Sequence, residues 1–484
     1  MQRWLGQWPE TLTMMSLLPL SKSWTRRWIL SLLSLWIAAC APMPQKNPPP
    51  PAPRVTLTPW WQALGDPALD RLVAQALQAN PSVDAARQAV QQARAAREVR
   101  VASLRPQLTL SAGVQRVTSD NSESRLNFNT GADASWELDV FGANQADIAS
   151  SEADIVAAQA NLRDVQLSLS AEVASAYIQL RGAQAQIRVT QDNLSNQTQS
   201  LALTRWRAQA GLASALDVAQ AETLLAQTQA SLPPLQASVD RNRHALAILI
   251  GQRPEHMPPA LDAPAPVPQV SPDLAQDIPA DTLRQRADLR AAEARVAAAM
   301  ASVEAADAAR YPRFKLGGSV GLTALTLSGL SSGATLATQL LGSVSVPVLD
   351  GGASQARVAV QQAALEQARA NYQSKLLNAL KEVSDALVGL RHDRERLTAL
   401  DQAQSKALTS ATLAQNRYAS GLIDAQTVLQ AQRTLLAAQD AVINAQTQLA
   451  LTHIQLVKAV GDGWPRRERL PETAPPSLGA TDLP

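Results

Sequence analysis

The stretch from Leu126 to Gly211 constrains this chain more than any other. From Leu126 to Val140 the residues alternate: Leu126, Phe128, Ala132, Ala134, Trp136, Leu138 and Val140 fall on one side, and Asn127, Asn129, Asp133, Ser135, Glu137 and Asp139 on the other. Period-2 alternation with acids on one face predicts a strand whose two faces meet different surroundings. At Gly142 the period changes. From Ala143 to Gly211 there is no proline and one internal glycine, Gly182, and apolar residues recur in steps of three and four through Leu162, Val165, Leu169, Val173, Ala176, Leu180, Ala183 and Ile187. That pattern predicts a single helix of about 65 residues, about 100 Å long. A strand feeding such a helix is not an ordinary globular arrangement.

The unit occurs twice. Gly142-Ala-Asn-Gln-Ala matches Gly352-Ala-Ser-Gln-Ala, Glu172-Val173 matches Glu382-Val383, and Arg207-Ala-Gln-Ala-Gly-Leu212 matches Arg417-Tyr-Ala-Ser-Gly-Leu422, all at an offset of 210. Upstream, Pro106-Gln-Leu-Thr-Leu matches Pro312-Arg-Phe-Lys-Leu at an offset of 206. The chain therefore reads as one duplicated unit of helix, strand, strand, long helix, turn and helix. Its strands are expected at about 106–118, 126–141, 312–328 and 334–349. Pro233-Pro234 interrupts the returning helix of the first copy, whereas the second, Ala425 to Val460, has no proline.

Four amphipathic strands are too few to close a barrel, and an open sheet edge in a bilayer leaves backbone groups unsatisfied at several kcal/mol each. Chains must pool strands, giving 8, 12 or 16 for two, three or four copies. Trp136, Leu138 and Val140 would then face lipid, and Glu137 and Asp139 a wet lumen. The long helices, each with only a stripe of apolar surface, would continue below as a coiled-coil tube. The fold class is mainly α with a membrane β-barrel. Without residues 1–39 the chain carries 39 basic and 40 acidic residues, so the balance does not point to nucleic acid.

Residues 22–40 read KSWTRRWILSLLSLWIAAC: a basic start, an apolar run from Trp28 to Ile37, then small residues before the only cysteine. This is a bacterial export signal, with Met14 or Met15 as alternative starts to Met1. Ile37-Ala-Ala-Cys40 looks like a lipobox, which makes Cys40 a lipid anchor and, without an aspartate at Ala41, directs it to the outer membrane. The domain plan is 1–39 signal peptide, 40–59 lipidated proline-rich tether, 60–280 first repeat, 281–464 second repeat and 465–484 disordered tail. No catalytic or metal constellation is predicted. His244, His256, His392 and His453 are scattered, and no cofactor is implied.

Several motifs in order resemble the outer-membrane efflux protein family of TolC-, OprM- and NodT-like lipoprotein channels. They are Trp61 with Asp66-Pro67-Ala-Leu69, Asn80-Pro81, Trp136-Glu-Leu-Asp-Val-Phe-Gly142, Pro347-Val-Leu-Asp-Gly351, Arg417-Tyr-Ala-Ser-Gly-Leu422, Ala431-Gln-Arg-Thr-Leu-Leu436 and Lys458-Ala-Val-Gly-Asp-Gly-Trp464. The resemblance spans nearly all of residues 40–464. It implies a homotrimer with a twelve-stranded barrel and a periplasmic helical tunnel in the outer membrane of a Gram-negative bacterium. It also implies passive efflux of small molecules delivered by an inner-membrane pump through a periplasmic membrane-fusion adaptor. A duct for protein or oligosaccharide secretion, and a coiled-coil adaptor without a pore, are the alternatives. In the family the hairpin tips meet the adaptor; here these are Gly211 and Leu212, and Gly421 and Leu422. Asp424 and Arg417 flank the second tip, where Asp424 is either a periplasmic gate carboxylate or a helix cap. Some relatives carry gating carboxylates where this chain has Thr427 and Gln430, which weakens a direct transfer of the gate.

Overall fold

The computed structural model describes residues 59–119, 122–256, 261, 263–269 and 285–461. The signal peptide, Cys40, nearly all of the tether and the 465–484 tail lie outside the described residues. A 3-10 turn, Trp60–Leu64, precedes α1 (Pro67–Ala79) and α2 (Pro81–Ala102). Asn80 separates the two helices. Its extended backbone suits a residue before proline, and its side chain accepts from Ser82 N, while Pro81 starts α2 where its missing N–H costs nothing. Then come β1 (Gln107–Ser119), β2 (Ser122–Leu138) and α3 (Ala143–Gln209). The return is α4 (Ala215–Ala230) and α5 (Leu232–Leu249), and the second copy is α6 (Ala287–Ala308), β3 (Arg313–Ala324), the one-turn α7 (Gly329–Ser332), β4 (Thr335–Ser345), α8 (Ala353–Ala419) and α9 (Ala425–Val460).

Both long helices have 67 residues, or about 100 Å each. Each begins at a glycine in the left-handed region, Gly142 (φ 79°) and Gly352 (φ 86°). Neither has a side chain to cap its helix, so an upstream aspartate does it. Asp139 accepts from Gln145 N at 2.8 Å, and Asp350 from Gly352 N at 3.0 Å and Ser354 N at 2.7 Å. The prolines act on one return only. α4 stops at Ala230 and α5 starts at Leu232, with Pro233 and Pro234 inside its first turn, whereas α9 runs unbroken for 36 residues.

The strands form one antiparallel sheet in the order β1-β2-β3-β4. The second-copy strands are shorter than the alternation suggests: β3 ends at Ala324, where the chain enters the 325–334 loop, and β4 ends at Ser345, ahead of Pro347. The main core gathers around Tyr177 on α3, with Leu69 and Val73 of α1, Leu246 of α5, Leu261 of the connector and Ile454 of α9. Its polar centre is closed. Tyr177 Oη donates to Asp66, Arg181 Nε donates to Tyr177 Oη at 2.9 Å, and Arg181 and Gln184 donate to the carbonyls of Ala263 and Leu261 at 2.7 and 2.8 Å. Burial, then the bond to Asp66, pushes the Tyr177 phenol up to about 12. The duplication shows in function as well as position. Asn80 Nδ2 donates to Leu249 O at 2.9 Å in the first copy, and Arg286 NH1 donates to Ala459 O at 2.6 Å in the second. Unlike side chains thus tie the start of each unit to the end of its returning helix.

Candidate functional site

The register decides what each sheet face presents. Leu108 lies across from Ala134, Ala134 from Gly318 and Gly318 from Leu340. One residue along, Thr109 meets Asp133, Asp133 meets Ser319 and Ser319 meets Gln339. Because side chains alternate, the first row belongs to a face that also carries Leu110, Val114, Phe128, Trp136, Leu138, Leu316, Val320 and Val344 across four strands, with Thr130, Thr338 and Arg116 among them. Several of these are solvent-exposed in the protomer, Leu340 at 88% and Leu108 at 70%. The opposite face carries Asp133, Glu137 and Lys315, and Lys315 Nζ lies 3.4 Å from Glu137 Oε2. Among the described residues no helix is long and apolar enough to cross a membrane.

The strand ends three residues before the expected 141. Trp136 and Leu138 are on the apolar face and Glu137 on the polar one, but β2 stops at Leu138. Asp139 is not a lumen residue on the strand; its carboxylate is taken by the first turn of α3. Val140 is likewise outside the ladder, in the turn that leads into the helix. At this end of the sheet aromatics collect: Phe141 stacks on Tyr311 at 4.9 Å, Phe314 lies 6.5 Å from Phe141, and Trp136 Nε1 donates to Leu104 O at 2.9 Å.

At the far end of the long helices the chain turns at Gly211 (φ 74°) and Gly421 (φ 75°), a backbone that disfavours any side chain. Leu212 and Leu422 beside them are 70% and 73% exposed. Ser214 and Asp217 form a capping box on α4, and Asp424 caps α9, accepting from Thr427 N at 2.9 Å and Thr427 Oγ1 at 2.5 Å. Those bonds, side chain first, hold the Asp424 carboxyl below its ordinary value. Among the described residues Arg417 makes no ion pair with Asp424. The charged contact at the tips involves its counterpart in the first copy. Arg207 NH1 donates to Tyr418 O, its guanidinium lies 4.6 Å from the Tyr418 ring centroid, and Tyr418 Oη donates to Thr204 Oγ1 at 3.2 Å. Arg207 and Tyr418 were not among the residues expected at this site. The signal for them was the copy difference Ala208 against Tyr418.

The seam between hairpins adds side-chain hydrogen bonds to apolar packing. α8 meets α9 through Ala407, Ala411 and Leu435, and α3 meets α4 through Leu201, Ala221 and Leu224. Between hairpins, α3 meets α9 in apolar clusters that hold Leu201 with Leu429 and Tyr177 with Ile454, and also through amides and hydroxyls: Gln186–Asn444 at 2.9 Å, Asn193–Gln439 at 2.8 Å and Gln432–Ser200 at 2.7 Å. On the same helix α3 the buried Gln197 amide has no partner among the described residues. The three α3 positions are seven residues apart, the heptad spacing of a coiled-coil seam. Among the described residues no group of three metal-type side chains is gathered.

A sheet apolar on one face and polar on the other, hung from two 67-residue helices, defines a protomer of a membrane barrel continued by a helical tube. The chain belongs to the outer membrane efflux protein family, whose model matches residues 72–252 and 278–462. It is 30% identical over 411 residues to the solvent efflux pump outer membrane protein SrpC of Pseudomonas putida, covering 82% of this chain and 86% of that one. It is 31% identical over 427 residues to the pyoverdine export outer membrane protein OpmQ of Pseudomonas aeruginosa, covering 84% and 87%. Among solved structures, the outer-membrane channel OprN superposes with a TM-score of 0.78 at 36% identity, covering 84% of this chain and 92% of that one. The outer membrane protein VceC of Vibrio cholerae gives 0.76 at 26%, covering 83% and 98%. The protein is an outer-membrane efflux channel.

Proposed function

We propose that three copies assemble into a twelve-stranded barrel over a periplasmic tunnel, the passive exit duct of a tripartite efflux system. The observation that carries this reading is the pair of free edges. In the order β1-β2-β3-β4 the outer strands each pair on one side only, and a bilayer tolerates no such edge. β4 of one copy pairs with β1 of the next, and the apolar face continues round the ring. A periplasmic adaptor docks on the exposed Leu212 and Leu422 tips, and an inner-membrane pump supplies cargo and energy. Relatives of equal similarity carry names as different as solvent efflux and pyoverdine export, which supports a duct that leaves cargo choice to the pump. Cys40, acylated, adds a lipid anchor; mass spectrometry of the mature N-terminus tests it, and a free thiol there refutes it.

The resting closure lies at the tips, held within each protomer by Arg207 on Tyr418 rather than by Arg417 on Asp424. The amide and hydroxyl pairs between α3 and α9 support this, because hydrogen bonds that can be exchanged for water are a more reversible contact than buried apolar surface. The test is single-channel conductance in planar bilayers beside heat-modifiable oligomers on gels. The duct reading predicts both, and a monomer without conductance refutes it. Arg207→Ala with Tyr418→Phe should raise resting conductance while oligomer stability changes little. Unchanged conductance would eliminate this closure.

A further inference from the structure

The two strand hairpins are built alike. Gln107 lies across from Ser135 in the first and Arg313 from Ser345 in the second. β1 therefore maps onto β3 at an offset of 206 and β2 onto β4 at 210, the offsets of the sequence repeat itself. The joint between the hairpins, β2 on β3, sets Ala134 across from Gly318 and Trp136 from Leu316. The sheet holds this joint once, because β1 and β4 are its edges. Carried through the two offsets, the joint sets Val344 across from Ala112 and Val346 from Leu110. The same offsets carry a helix contact below it, Ser150 Oγ to Ser302 Oγ at 3.1 Å between α3 and α6, onto Val360 of α8 and Ala96 of α2. Both counterparts are exposed in the protomer, Val360 at 62%. A hydroxyl pair within the chain is thus matched by an exposed apolar pair at its two edges.

We infer that the joint between copies repeats the joint within each copy: β4 pairs with β1 of the next copy with Val344 across from that copy's Ala112, and Val360 packs on its Ala96. The inference rests on the three-copy ring and fixes its geometry. A slip of one residue would turn Leu108, Leu110 and Val114 to the lumen, so only even registers keep the apolar face continuous. The repeat selects one of them. The row Leu108, Ala134, Gly318, Leu340 then meets Arg116 of the next copy, eight residues further along β1. That advance, about 27 Å over four strand spacings of about 19 Å in all, tilts the strands by about 55° and gives a barrel perimeter of about 100 Å. The helices beneath need a similar width. Four of them, α2, α3, α6 and α8, join the sheet of each copy, and twelve side by side at about 8–10 Å occupy about 96–120 Å. An advance of six residues would give only about 84 Å, too narrow for that ring.

Disulfide cross-linking of the full chain in outer-membrane vesicles tests the register. Facing residues on neighbouring strands lie about 4.5–5.5 Å apart at Cα, within disulfide reach, whereas diagonal neighbours at about 7–8 Å are beyond it. Val344→Cys with Ala112→Cys should give covalent trimers on mild oxidation. Linkage should be about tenfold faster than for Val344→Cys with Leu110→Cys or with Val114→Cys. Ala134→Cys with Gly318→Cys, the equivalent pair inside one chain, should close as readily without joining chains. Single substitutions, which leave Cys40 as the other cysteine, set the baseline. Val360→Cys with Ala96→Cys reads the same joint from the helices and should also give covalent trimers. Faster linkage of either shifted strand pair would overturn the register. So would failure of Val344 to link to Ala112 where the internal pair closes, or an unlinked Val360–Ala96 pair. Conductance separates this inference from the duct: a monomer without channels defeats the duct itself, whereas a conducting trimer linked in another register defeats only the repeated joint.

Discussion

His453 on α9 gives the sharpest quantitative expectation. It is 2% exposed and its Nδ1 has no partner. Burial, then the nearby Arg394 charge, lowers its pKa from 6.5 to about 4. The fold therefore favours the neutral ring. The stabilisation is complete above about pH 6.5 and is lost as pH falls through the window down to about pH 4, where folded and unfolded states bind the proton alike. A difference of this size corresponds to about 3 kcal/mol per protomer at full loss. Asp154 and the half-buried Asp164 and Asp440, whose carboxyls burial raises, work in the opposite sense, since folding favours their protonated forms. They make net pH dependence alone a poor readout. The decisive comparison is wild type against His453→Gln, followed as the melting of the heat-resistant oligomer between about pH 7.5 and about pH 4.5. The substitution should cost stability at neutral pH and shrink the gap to the wild type in acid. An identical pH profile for both proteins would refute the argument.

Three further expectations concern backbone and bilayer. Val320→Arg, in mid-strand on the apolar face opposite Ala132, should cost about 2–4 kcal/mol, and Leu138→Arg, at the strand end, about 0–1; equal loss of heat-resistant oligomer would count against the barrel. Gly182→Ala would place a Cβ 2.6 Å from Thr447 Oγ1 across the polar seam, so it should lower the melting temperature, and Thr447→Ala should restore much of the loss; no rescue would mean that the contact is elsewhere. Asp424→Ala should cost about 1 kcal/mol of stability and leave conductance unchanged, whereas a leak would return Asp424 to the gate.

Period was the most legible property of this sequence. The alternation through Trp136 and the three-four spacing from Leu162 onward are each set by one local geometry, strand or helix, and both emerged in the structure. Boundaries were less legible, because alternation can outlast the hydrogen-bonded ladder. Asp139 and Val140 keep the strand parity, yet Asp139 is claimed by the N–H of Gln145 across a glycine that cannot cap its own helix. Contacts between copies were hidden for another reason. Arg207 and Tyr418 are 211 residues apart, and Arg417, which shares the motif with Arg207, has no such partner among the described residues. The duplication gave the two arginines the same place in sequence, and only the packing of one hairpin on the other distinguishes them.

The unpaired edges of β1 and β4 also bear on heredity. A barrel with no edge of its own can be completed only by sister copies, so each copy supplies both a donor edge and an acceptor edge. A chain whose β4 cannot pair would still offer a sound β1 and enter the ring, leaving a gap that no intact copy can close. In a cell making intact and edge-defective chains equally, only about one trimer in eight would be free of the defect if they mix at random. Such an allele should therefore be strongly dominant, while a chain lacking both edges, excluded from every ring, should be recessive.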